Sequence, residues 1–205
     1  MPNNKSDSYA SSSSKSIRHS LALTATENAK FIILLLYGII LIGTAFYFNS
    51  PAELLNGMKS ISLSESTLVS DYMVLGNIGS AFLNSGLLML ISLAIVKKAQ
   101  VNINGSIIAA VFTVAGFAFF GKNIFNIWPI LGGVYLYSIY KEEPFSRFIL
   151  VALFGTALGP LVSLVSFGFG FNTINGLALG AIFGTLAGFI LPPLANHMVK
   201  FHQGY

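Results

Sequence analysis

The sequence predicts an all-α, polytopic membrane protein, and three observations carry that prediction. Of 205 residues, 54% are hydrophobic and only 9% charged, with a mean hydropathy of +0.75. A soluble domain carries about 25% charged residues, so this chain lacks the charge to cover a water-facing surface. Six continuously apolar segments follow one another. Helix is the conformation that satisfies backbone amides inside lipid within one segment, and the short alternating stretches of a barrel are missing from these runs.

Residues 1–30 form a Ser-rich, polar, weakly basic tail, expected to be disordered and cytoplasmic. The membrane domain is expected over 31–205. The first apolar run, 31–48, starts behind a long polar lead without a small-residue cleavage site, so it reads as a retained anchor. Asn49-Ser50-Pro51 closes it. Residues 51–58 are compatible with a short interfacial helix or a plain loop. The second segment, 73–96, is polar and glycine-rich from Gly76 to Gly86 and apolar afterwards. It is either a helix broken in that stretch or a continuous one packed through small residues.

The third and fourth segments, 106–120 and 124–140, meet at Gly121-Lys122-Asn123. Fifteen residues span about 22 Å as a helix, short of the roughly 30 Å hydrocarbon core. The fourth contains Pro129, which removes a helix bond. Residues 106–140 therefore form either two thin spans with Lys122 in water, or a re-entrant hairpin with Lys122 at its tip. The fifth segment is 148–167. The sixth, 174–191, is expected to end at Pro192-Pro193. Tyr47, Tyr72, Tyr137 and Tyr140 lie at segment ends and suit interfacial belts.

Charge asymmetry orients the chain. Lys5, Lys15, Arg18, Lys30, Lys97, Lys98, Lys141, Arg147 and Lys200 fall on one side, with Lys59 and Lys122 on the other. The positive-inside rule then places both termini in the cytoplasm and the protein in the cell membrane.

Glycines 176, 180, 184 and 188 recur every fourth residue in the sixth segment, and Gly155 and Gly159 repeat the spacing in the fifth. Such faces allow close helix packing, within a chain or in a homo-oligomer.

Polar residues inside the spans are the candidate site. Lys122, Asn123, Asn126, Asn77 and Asn84 are the candidate solute path, because short, interrupted segments point to transporter sites. The acids Asp7, Glu27, Glu53, Glu65, Asp71, Glu142 and Glu143 all lie in tails, loops or segment ends. A cationic path without buried acids favours an anionic or neutral polar solute.

Other chemistry lacks support. The chain has no cysteine, which excludes disulfides and thiolate chemistry. His19, His197 and His202 lack metal-ligand spacing. Gly116 to Lys122 matches seven positions of a phosphate-binding loop, but Asn123 stands where Ser or Thr would hold magnesium. Neither cofactor, metal nor catalytic residue is expected. The net charge of +4 forms no patch with exposed aromatics, which argues against nucleic acid.

The stretch FGKNIFNIWPILGGVYLYSIYKEEPFSRFILVALFGTALGPLVS, residues 120–163, and the closing His202-Gln203-Gly204-Tyr205 resemble a family of uncharacterised bacterial integral membrane proteins, found chiefly in Firmicutes. The resemblance implies a multi-pass protein and supplies neither substrate nor catalytic residue. It implies that this chain is the first half of a longer protein of duplicated architecture. Leu83-Asn84-Ser85-Gly86-Leu87 and Ile174-Asn175-Gly176-Leu177 form a weak internal echo. The leading expectation is a permease or channel for a small polar or anionic solute. The alternative is a membrane structural or assembly subunit without transport.

Overall fold

Four helices are long and apolar enough to cross a membrane: Thr26–Phe48, Ile78–Lys98, Phe145–Phe167 and Thr173–Met198. They belong to a computed structural model that describes the backbone of residues 4–66 and 70–202, and side chains of residues 26–66 and 70–198. Among the described residues there is no strand, only an isolated bridge between Asp71 and Phe120.

Helix α1 runs Asn4–Phe48; side chains before Thr26 lie outside the described residues. Gln203-Gly204-Tyr205 of the closing motif also lie outside them. α2, Pro51–Leu63, is a full helix where the sequence left a choice. A capping box fixes its start: Glu53 N donates to Ser50 Oγ, and Ser50 N donates to the Glu53 carboxylate. Leu54, Gly57 and Ile61 form its buried face.

The second apolar segment breaks once. α3, Tyr72–Leu75, ends at Gly76, and α4, Ile78–Lys98, begins with Asn77 as its cap, Asn77 Oδ1 accepting from Ser80 N at 2.7 Å. From there α4 continues through Gly79 and Gly86 unbroken. These glycines sit against α1. A Cβ on Gly86 would lie 2.9 Å from Gly38 O, and one on Gly79 would lie 2.6 Å from Ala45 O. The order of these pairs makes α1 and α4 antiparallel. Glu27 and Lys30 clamp the far end to the α4–α5 loop: Ile103 N donates to Glu27 Oε2 at 2.6 Å, and Lys30 Nζ donates to Ile103 O at 2.9 Å.

α5, Gly105–Phe117, and α6, Ile127–Tyr140, have 13 and 14 residues, about 20 Å each. α5 packs chiefly on α4 and α7, whereas α6 packs chiefly on α9 and α7, so the two arms take different partners. Their residues Ile107, Val111, Val114, Ile127, Leu131 and Val134 join Leu88, Leu93, Phe148 and Leu153 in the core.

The fifth segment is α7, Ile149–Gly155, and α8, Gly159–Phe167, joined by the 3-10 turn Thr156–Leu158. Pro160 sits in the first turn of α8, where its missing N–H is tolerated. α9 runs Thr173–His202 with Pro192 and Pro193 inside it. This corrects the expected stop at those prolines; helix-breaking residues are tolerated in membrane helices because neighbours and local adjustment compensate the lost bonds.

The glycine stripe of α9 serves two neighbours in turn. A Cβ at Gly176 or Gly180 would strike Ser166 of α8; at Gly184 it would meet Pro129 and Val162; at Gly188 it would strike the Ile130 backbone of α6. Four-residue spacing drifts about 40° per step, which turns the stripe from α8 toward α6. Gly155 approaches Leu191, and Gly159 approaches Asn126.

The tyrosine belt needs correction. Tyr47 is 85% exposed and Tyr140 69%, but Tyr72 and Tyr137 are buried. Tyr137 stacks edge-on against Phe148 and Phe189, each with centroids 5.4 Å away. The remaining exposed apolar side chains of α1 and α9, such as Ile33, Ile40, Ile182 and Leu186, suit contact with lipid tails.

Candidate functional site: the hairpin tip

The junction of α5 and α6 turns back inside the protein. Gly121, at φ 82°, makes the turn in a region L side chains disfavour. Asn84 fixes its depth: six residues into α4, it lies about 9 Å below the start of that helix, with Lys98 about 21 Å further on. Asn84 Nδ2 donates to Ala118 O at 2.7 Å and to Lys122 O at 2.8 Å, and its Oδ1 accepts from Ile124 N at 3.2 Å. The tip therefore stops short of the end of α4 and lies under α2. This geometry is compatible with the re-entrant arrangement of the two left open from sequence.

Asn123 and Asn126 complete the turn. Asn123 Oδ1 accepts from Phe125 N and Asn126 N, both at 2.9 Å. Asn126 Oδ1 accepts from Asn123 N at 2.9 Å. Their amide nitrogens reach outward. Asn123 Nδ2 donates to Ile61 O of α2 at 3.1 Å and to the Tyr72 hydroxyl at 2.9 Å, which also contacts Ser66 Oγ. Asn126 Nδ2 donates to Gly121 O at 2.8 Å and to Ser163 Oγ of α8 at 2.9 Å. The 3-10 turn before Pro160 brings Gly159 beside Asn126 and leaves room for this contact.

Four of the five candidate path residues thus share one buried network. Asn77 stands apart, capping α4 and donating to Glu53 O of α2 at 3.0 Å. Tyr72, Ser66 and Ser163 belong to the network but were not among the candidate site residues read from sequence. Ser163 had a signal, since Ser163 and Ser166 lie one turn apart within an apolar run. Tyr72 had none, because an interfacial tyrosine and a buried one look alike at a segment end.

Lys122 differs from its neighbours. Its backbone is bonded at both ends, N–H to Phe117 O at 3.3 Å and C=O to Asn84. Its side chain is 0% exposed, and Nζ has no hydrogen-bond partner among the described residues. The Phe117 ring lies 5.4 Å away, a cation–π contact worth about 0.5–2 kcal/mol. Ion pairs among the described residues join Lys30 to Glu27 and Arg147 to Glu143, both elsewhere. A depression of about 540 Å³ beside the tip is lined by Leu55, Asn56, Met58, Lys59 and Ser62 of α2 together with Ile124.

The stretch from Gly116 to Lys122 is no phosphate loop, since Gly116 and Phe117 lie in α5. Among the described residues no group of three or more His, Asp or Glu side chains is arranged to hold a metal.

The apolar helices describe a membrane protein. Residues 50–205, more than half the chain, match the family described as "Protein of unknown function (DUF1576)". No curated protein and no solved structure matches. The chain belongs to the DUF1576 family, whose function is unknown.

Proposed function

We propose that this membrane protein is a permease or channel that binds a small anionic solute at Lys122. The observation that supports the reading is the lysine Nζ, fully buried at the hairpin tip and without a hydrogen-bond partner among the described residues. An ammonium enclosed without a counter-charge is costly. Intramembrane ionisable residues mark substrate and ion pathways. Interrupted, short helices are where transporters place their sites.

The structure then corresponds to an occluded form. Entry is from the depression that carries Lys59. α2 is its lid, tethered by Asn123 to Ile61 O and by Ser80 Oγ to Leu54 O at 3.1 Å. The asparagines form the frame, and Lys122 supplies the charge. A catalytic role forms no part of this reading.

The proposal places the protein in a bacterial plasma membrane with both termini cytoplasmic, on the strength of the basic-residue asymmetry. With Lys122 buried, Lys59 alone opposes the nine basic residues on the other side. A homo-oligomer, or a matching second half, are its candidate partners.

A second reading is favoured by the amides. Asn84, Asn123 and Asn126 spend their amide groups on bonds within the chain. A network closed in this way is a structural latch, as in an assembly subunit without transport.

Proteoliposome flux separates the two. Chloride, phosphate, sulfate and small carboxylates are the panel, with Lys122→Gln as the variant. The transport reading expects flux of at least one anion and its loss in a variant that still folds. Flux absent throughout the panel, or unchanged by the substitution, is the result of the structural reading.

A further inference from the structure

The lipid-facing surface carries a groove of about 460 Å³ on the side of the hairpin where α4 ends. One wall is a single face of α6, Trp128, Leu131, Gly132 and Tyr135, at spacings of three, four and seven. The other is the end of α4, Ile95, Lys98 and Ala99, and Phe145 closes it, its ring centroid 5.8 Å from Tyr135. Gly132 has open space where a Cβ would stand. The groove is a place where α6 lacks a protein neighbour, because that helix packs on α9 and α7 instead.

We propose that this groove seats one acyl chain of an anionic phospholipid, with its phosphate at Lys98. Three features select that occupant. Trp128 lies twelve residues from the end of α6, about 18 Å, close to the half-thickness of the hydrocarbon core and hence to one leaflet's chain length. Lys98 is in the last turn of α4, at the interfacial end of the groove, where its charge faces headgroups. Its neighbour Lys97 does not share the role, since its Nζ lies over the Phe31 ring, 4.9 Å from the centroid.

Trp128 is the chain's sole tryptophan, so fluorescence reports on this groove directly. Phosphatidylcholine vesicles containing the protein receive equal fractions of brominated phosphatidylglycerol or brominated phosphatidylcholine. Quenching is expected to show about a fivefold preference for the anionic lipid, the factor one lysine near charged headgroups supplies. Lys98→Gln should erase the preference and Lys97→Gln should keep it. Gly132→Phe, checked for an unchanged unfolding midpoint, should reduce quenching by both lipids. Equal quenching by the two lipids in the native protein overturns the proposal. So does a loss in Lys97→Gln as large as in Lys98→Gln, which means surface charge alone, or full quenching in Gly132→Phe.

Discussion

Replacing Asn126 by Ala tests whether the tip network holds the hairpin in place. The side chain makes three buried bonds: to Gly121 O at 2.8 Å, to Ser163 Oγ at 2.9 Å, and from Asn123 N at 2.9 Å. Truncation leaves all three partners without their bond in a region water does not reach. An orphaned buried group costs about 1–3 kcal/mol, whereas measured side-chain bonds between membrane helices average about 0.6 kcal/mol. Three groups therefore bracket the loss between about 2 and 9 kcal/mol, and local relaxation favours the low end, about 2–5 kcal/mol. Asn56→Ala is the control, because Asn56 is exposed on α2. Surface changes of that kind stay within about 0.5 kcal/mol. Equilibrium unfolding in bicelles, followed by steric trapping or by denaturant, reads the difference. Equal stabilities for Asn126→Ala and Asn56→Ala would refute the reasoning, since they would mean the amide bonds carry no net weight.

Further outcomes follow from the packing and the cap. Gly188→Ala places a methyl group against the Ile130 backbone, which cannot swing aside, so α6 and α9 must separate; a loss of about 1–3 kcal/mol is expected in the same unfolding assay. Gly43→Ala meets nothing within 4 Å and should instead stabilise α1 by about 0.5–1 kcal/mol. Glu53 is held below its ordinary value of 4.5 by the Ser50 backbone N–H and then by the Ser50 hydroxyl. Its folded value lies under its unfolded one, so its contribution is present above about pH 4.5 and fades as pH falls through the folded value. Glu53→Gln should flatten the acid limb of the stability profile by lowering stability at neutral pH toward its acid value; an unaltered acid limb counts against the capping box.

The sequence made the membrane class legible because composition and run length report solvent directly. The candidate residues Lys122, Asn123, Asn126 and Asn84 were also legible as a group, since polar side chains are scarce in these runs. Their bonding was not. An asparagine that lines a water path and one that latches a turn have the same letter, and the partners here, Ile61 O, Ala118 O and Gly121 O, are backbone atoms that no pattern marks. Proline misled at 192–193, because the rule that it ends helices is drawn from chains in water. Tyr72 misled for a related reason: its hydroxyl is satisfied by Asn123 and Ser66 rather than by the interface. The burial of Lys122 depended on α2 folding over the tip, a contact between elements about 60 residues apart that local periodicity does not encode.

The enclosure of Lys122 is the claim on which both functional readings rest, and its native amine allows a direct measurement. The folded protein in vesicles is treated with a water-soluble amine-reactive ester, and modification at each lysine is followed by mass spectrometry. Lys59, exposed on α2, should react at least tenfold faster than Lys122, and the two rates should converge once the protein is denatured. A Lys122 rate equal to that of Lys59 in the folded protein would place the tip in open water and contradict the account.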